Sequence, residues 1–180
     1  MSSNYHKLRS AQKIVCIGNA GGGKSTLCRM LSKNLHISYH AIDDILWLPG
    51  WVAVSSDLYR KQHSKMLASK KWIIDGAGPW KFIEQRVCLA DVVLYIDLPL
   101  KIHFYWALKR QAKCLFRPRV DGPVGCSMLP VTWKLLKRMW HFHYNMRPAL
   151  MQLLKTYKDK VITIKTVKDI NILKHDLCGW

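Results

Sequence analysis

The sequence predicts an α/β fold in which helices cover a five-stranded parallel sheet, and three observations predict it. Short β-branched runs alternate with stretches of helical periodicity along the chain. Three of those runs close on an acid, Asp43, Asp75 or Asp97. The first run leads directly into Gly18-Asn19-Ala20-Gly21-Gly22-Gly23-Lys24-Ser25. In a parallel sheet the carboxyl ends of the strands share one edge, and ligands gather there. The three acids and the glycine-rich segment are therefore expected side by side.

Residues 1–12 are polar and basic and read as a short tail before a single domain, 13–180. Ile14, Val15, Cys16 and Ile17 form the first strand, and Leu27, Met30, Leu31 and Leu35 mark one face of the helix that follows. A second strand is expected at 37–42, ending at Asp43-Asp44. After it come the proline-broken Trp47-Leu48-Pro49-Gly50-Trp51 and a helix near 57–69. Strands three, four and five are expected at 71–76, 92–97 and 161–165, with a terminal helix to about Leu177. Between strands four and five, 100–116 and 131–144 read as helices separated by a proline- and glycine-rich segment, 117–130. Pro148 should kink or restart the second of these, because it lacks an N–H and its ring clashes with the preceding turn. Trp133, Leu136, Met139, Trp140 and His143 keep helical spacing and are expected in the core.

Composition narrows the function classes. No apolar run is long enough to cross a bilayer, and the amino terminus lacks the apolar block of a secretory signal. Six scattered cysteines form no C-x-x-C pair, which disfavours a zinc site or a disulfide framework and suits the reducing cytoplasm. Twenty-nine basic residues against eleven acidic ones give a net charge of +18. Twelve of the basic residues lie between 98 and 158, with Asp121 the single acid there. Such a balance favours anionic partners, phosphates or nucleic acid among them.

The glycine-rich segment is an intact G-x-x-x-x-G-K-S between a strand and a helix. Its glycines let successive N–H groups turn inward around a phosphate, and the helix after it adds the positive end of its dipole. Lys24 brings a mobile cation to the outer phosphates of a nucleoside triphosphate, and Ser25 supplies a hydroxyl to Mg2+. The expected nucleotide contacts are Gly18, Asn19, Ala20, Gly21, Gly22, Gly23, Lys24, Ser25 and Thr26. Asp75 is the candidate second acid of the metal shell. Arg110, Arg117, Arg119, Arg138 and Arg147 are candidates to meet phosphates from above, since planar guanidinium groups suit that task.

The guanine-reading Asn-Lys-x-Asp is missing from the sequence, and its one glutamate, Glu84, falls on an expected helix. Water activation is thus poorly provided for. Transfer to a bound acceptor asks for positioning and charge neutralisation, which a lysine, Mg2+ and arginines supply. A kinase fits better than a hydrolase. A nucleotide-responsive nucleic-acid-binding protein is the alternative, motivated by the charge.

Several motifs occur in a particular order: the phosphate loop, Ile42-Asp43 with Trp47-Leu48-Pro49-Gly50-Trp51, Trp72-Ile73-Ile74-Asp75-Gly76, Ala90-Asp91 with Tyr95-Ile96-Asp97-Leu98-Pro99, then Leu108-Lys109-Arg110 and Arg147-Pro148. From Lys13 to about Leu177 the chain resembles the adenylate-kinase-like group of DNA topology modulation (FlaR-like) proteins. The resemblance implies a P-loop, nucleotide-kinase-like core with strand order 2-3-1-4-5 and a mobile helical lid at about 113–147. It implies ATP as the nucleotide, Asp43 near the acceptor or the metal, and Asp75 beside the phosphate loop. Lys24, Asp43, Arg110 and a lid arginine, taken as Arg147, would serve catalysis, with Arg117 and Arg119 on the nucleotide. The acceptor would be a small molecule, a nucleotide or nucleoside being the leading choice. After the third strand the chain departs from the group's Asp-Gly-Asn-Tyr and carries Asp75-Gly76-Ala77-Gly78-Pro79.

Overall fold

Alternation along the strands decides how the layers form. In β1 (Lys13–Gly18), Ile14 and Cys16 face one side of the sheet while Val15 and Ile17 face the other, and all four are fully buried. The computed structural model describes residues 3–116 and 129–178. β1 pairs in parallel with Trp72–Asp75 on one side and Val92–Ile96 on the other. The outer strands are β2 (Tyr39–Ala41) and Val161–Ile164. A separate antiparallel hairpin joins β3 (Trp47–Leu48) to β4 (Val52–Ala53). With Trp72–Asp75 as β5, Val92–Ile96 as β6 and Val161–Ile164 as β7, the main sheet runs β2-β5-β1-β6-β7. Counted among the five sheet strands alone, that order is 2-3-1-4-5.

One face is covered by α1 (Ser3–Ser10), α2 (Lys24–Leu35) and α9 (Val167–Cys178), through Leu8, Leu27, Leu31, Ile170, Leu173 and Leu177. The opposite face is covered by α4 (Ser56–Leu67), α5 (Trp80–Leu89) and α8 (Arg147–Thr156) through Tyr59, Met66, Ile83, Val87, Leu150 and Leu154. Between them lie α3 (Ile42–Leu46), α6 (Leu100–Phe116) and α7 (Thr132–His141). In register, Cys16 is level with Asp75, and Gly18 with Ile96. The glycine-rich turn, Asp75 and the end of β6 consequently leave the sheet at one edge, as expected for a parallel sheet. None of the described helices is long and apolar enough to cross a membrane.

Five expectations need correction or restriction. The first twelve residues are not merely a tail, because α1 seats Leu8 in the core and Lys7 donates to the Asp159 carbonyl. The second strand shrinks to Tyr39–Ala41, since Ile42 already begins α3. The tryptophan-rich stretch is a hairpin, turned by Gly50 and by Trp51, which holds φ 63°. Trp133 and Trp140 are not core: they are 67% and 55% exposed, and of their row only Met139 is fully buried. The inner face of α7 runs instead through Leu135, Arg138, Met139 and, just beyond its end, Phe142. Pro148, by contrast, restarts the helix as expected. A π-turn at Phe142–Met146 takes up one extra residue, closed by the Arg147 N–H on the Phe142 carbonyl, and α8 restarts with proline in its first turn. Residues 117–128, the middle of the expected lid with Arg117 and Arg119, lie outside the described residues.

Candidate functional site

The phosphate loop has the backbone its glycines predict. Gly18, Gly21 and Gly23 all hold positive φ, and a Cβ on Gly18 would sit 2.3 Å from the Ile96 carbonyl oxygen. Three side chains fasten the loop. Asn19, nearly buried, donates from Nδ2 to the Met139 carbonyl at 2.8 Å and accepts from the Ala20 N–H at 2.8 Å. Lys24 donates from Nζ to the Asn19 carbonyl at 2.8 Å. His103 of α6 lies under the turn with Nδ1 3.0 Å from the Ala20 carbonyl. A carbonyl only accepts, so Nδ1 carries the proton. Burial first, and then the Lys24 charge, lower the His103 pKa to about 4 and keep the ring neutral.

Sequence reasoning expected Asn19 as a nucleotide contact and missed both its tie to α7 and the whole of His103. Those contacts span 120 and 83 residues of chain. Only the apolar residues flanking His103, from Ile102 to Ala107, could have hinted at it.

Beside the loop, the Ser25 hydroxyl donates to Asp75 Oδ2 at 2.5 Å and the Tyr39 hydroxyl to the same oxygen at 3.2 Å. Burial, followed by the Asp75 charge, pushes the Tyr39 phenol well above its ordinary range. Asp75 is 5% exposed, and its Oδ1 is buried with no hydrogen-bond partner. An orphaned carboxylate oxygen beside a hydroxyl suits a hard cation. Among the described residues no cluster of three or more His, Cys, Asp or Glu forms a metal cage. Mg2+ takes one or two protein ligands and completes its shell with water and phosphate. Ser25 and Asp75 are the residues that fit it.

A cavity of about 1080 Å3 opens on this loop. Its lining includes Gly18 to Thr26, Asp75, Arg110 of α6 and Arg138 of α7. It continues past them to Asp43 and Asp44 on α3, Trp47 and Trp51 of the hairpin, and the turn at Gly76, Ala77 and Gly78. Trp47 and Trp51 meet edge to face at 5.8 Å, and the Arg138 guanidinium lies 4.8 Å above the Trp47 ring. Lys24, Asp43, Asp75 and Arg110 are thus brought to one cavity. Arg147 is not among its lining residues. It grips Asp97 with Nε at 2.6 Å and Nη2 at 2.9 Å, so Arg147, a candidate to meet phosphate, is instead neutralised by the acid at the end of β6.

No family model and no curated protein matches the chain. Solved structures do. A shikimate kinase from Acinetobacter baumannii, in complex with shikimate, superposes with a TM-score of 0.53 at 16% identity, over 97% of this chain and 98% of that one. An uncharacterized protein from Eubacterium ventriosum ATCC 27560 gives 0.50 at 15% identity, over 93% and 97% of the two chains. At such identities the likeness establishes the fold alone, an α/β fold with a five-stranded parallel sheet shared over nearly the whole chain.

Proposed function

We propose that this protein is an ATP-dependent phosphotransferase acting on a small acceptor. The observation that carries the reading is the continuity of the cavity. It runs from a phosphate-binding loop with its candidate metal acid to carboxylates, tryptophans and a glycine turn, a part of the cavity we read as a second chamber. Two reactants fit end to end, with the phosphate to be transferred between them. The fold neighbour named a shikimate kinase, solved with shikimate, supports a small-molecule acceptor.

The loop N–H groups and Lys24 hold the outer phosphates, with Lys24 exchanging the Asn19 carbonyl for phosphate oxygen. Bound Mg2+ would supply charge neutralisation, held by Ser25 and Asp75. Arg110 and Arg138 face the charge that develops on the moving phosphoryl group. Asp43 orients the acceptor hydroxyl and takes its proton. The Arg147–Asp97 clamp fixes α8 against β6 and acts on the site from outside. ATP as the nucleotide, the cytoplasmic setting and the specific likeness to FlaR-like proteins belong to this same reading. ADP release across a panel of nucleoside monophosphates, nucleosides and small polyols tests it, and stimulation by none of them would refute it.

A second reading is favoured by one observation. The outer face of α7 and the turn after it presents Trp133, Lys137, Trp140 and Tyr144, all exposed, with the Lys137 ammonium 5.5 Å over the Trp133 ring. Rings and cations in a row suit stacked bases and phosphates, so nucleic acid could dock there. Binding of an oligothymidylate that disappears in Trp133→Ala/Trp140→Ala would favour it. Binding unchanged by those substitutions, or absent at low salt, would remove it.

A further inference from the structure

A guanidinium keeps its proton at any ordinary pH, so a buried arginine needs acceptors for its N–H groups and gains from a counter-charge. Arg86 on α5 is fully buried, yet among the described residues no carboxylate pairs with it. Its partners are neutral. Nη2 donates to the carbonyls of Gly76, at 3.3 Å, and Ala77. Nη1 meets the Tyr59 hydroxyl at 3.4 Å and His63 Nε2 at 3.2 Å, and Nε is buried with no partner. His63 is itself fully buried, and burial followed by the Arg86 charge brings its pKa to about 4, so it accepts as a neutral ring. Tyr59 stacks on His63 at 5.7 Å and meets Phe82 edge-on at 4.9 Å, which closes the cluster. An unpaired buried cation is costly, and here it is spent on two backbone carbonyls.

Those carbonyls set the turn. Every described peptide is trans, and a trans peptide points its N–H opposite its carbonyl. With the Gly76 and Ala77 carbonyls drawn to Arg86, the N–H groups of Ala77 and Gly78 turn away from it. Gly76, Ala77 and Gly78 line the cavity and Arg86 does not. Gly78 holds φ 64°, and a Cβ on it would lie 2.7 Å from Ile42 Cγ2 and 2.8 Å from the Tyr59 hydroxyl. At Gly76 and Gly78 this part of the cavity wall is therefore bare backbone. Asp43, on α3 beside Ile42, lines the same chamber.

We propose that Arg86 is a positioning residue for the acceptor, pinning the turn from behind so that the Ala77 and Gly78 N–H groups donate to an acceptor oxygen. The acceptor is then a small molecule with at least two oxygens, one hydroxyl toward Asp43 and a second oxygen on the turn. This rests on reading the second chamber as the acceptor's. Tyr59 and His63 hold Arg86 in place and touch no reactant.

The test compares Arg86→Lys, Arg86→Met and Tyr59→Phe with the wild type, with ATP affinity measured in each. Amide hydrogen exchange across 74–80 is followed in the same proteins. Both arginine variants should raise the acceptor KM about tenfold or more, with the ATP KM within about twofold, because charged hydrogen bonds to the turn are lost. Tyr59→Phe, which leaves the turn's bonds in place, should change the acceptor KM by less than about threefold. Exchange at Ala77 and Gly78 should quicken about tenfold in Arg86→Lys with ATP affinity intact. An unchanged acceptor KM, or an equal rise in both KM values, overturns the proposal. Should no acceptor be turned over by the wild type, exchange decides alone: faster exchange at the turn with normal ATP binding upholds the role of Arg86, and unchanged exchange overturns it. Should Arg86→Met not fold, Arg86→Lys and Tyr59→Phe carry the comparison.

Discussion

Asp75 is where a single atom is most informative, because one of its oxygens is bonded twice while the other is buried and bare. If that oxygen serves a metal, Asp75→Asn should reduce ATP affinity in the presence of Mg2+ about tenfold or more. ADP affinity measured with EDTA should change little, and calorimetry in the two conditions makes the comparison. His63 and His103 make a different prediction. Both have a folded pKa of about 4, below the ordinary 6.5, so the unfolded chain binds more protons in the window between those values. Stability is then full above about pH 6.5 and falls as pH drops toward 4, by on the order of 2–3 kcal/mol per histidine. Thermal melts from pH 7 to 4.5 should show the decline, and His103→Gln should flatten part of it. The phosphate loop itself was legible in the sequence, since its chemistry is local and every contact residue is contiguous. Arg86 and His103 were not, because their partners come together only through folding.

Among the elements, α7 is the one whose role the sequence misjudged. A row of apolar residues at helical spacing reads as a core face, but spacing fixes only that residues share a face, not which way it points. Here Leu135, Arg138 and Phe142 face the cavity together with Met139, the one buried member of the expected row, whose carbonyl accepts from Asn19 of the phosphate loop. Trp133→Ala and Trp140→Ala should accordingly each change stability by no more than about 0.5 kcal/mol in urea titrations. Ile74→Ala, in the middle of β5 and fully buried, should cost about 2–5 kcal/mol. Four of the five sheet strands were foreseeable because their β-branched runs are short, apolar and bounded by turn residues, whereas β2, Tyr39–Ala41, holds no β-branched residue and is shorter than expected. The Trp47–Leu48 and Val52–Ala53 hairpin was not, as two-residue strands carry no period to detect.

At the scale of the whole molecule, the parallel sheet brings the phosphate loop and Asp75 to one edge, and α3, the hairpin, α6 and α7 rise around that edge to enclose a cavity. The chain carries a formal charge of +18, so if the proposed site binds ATP, its association with ATP should slow as salt rises. The proposed activity requires the phosphate loop and the acceptor's part of the cavity to work together. The direct measurement is ADP release from ATP and Mg2+ across the acceptor panel, with Lys24→Ala beside the wild type. Release that depends on one acceptor class and is lost in Lys24→Ala is the predicted result. Tight ATP binding with release that ignores every acceptor, or with release equal in Lys24→Ala, would contradict it.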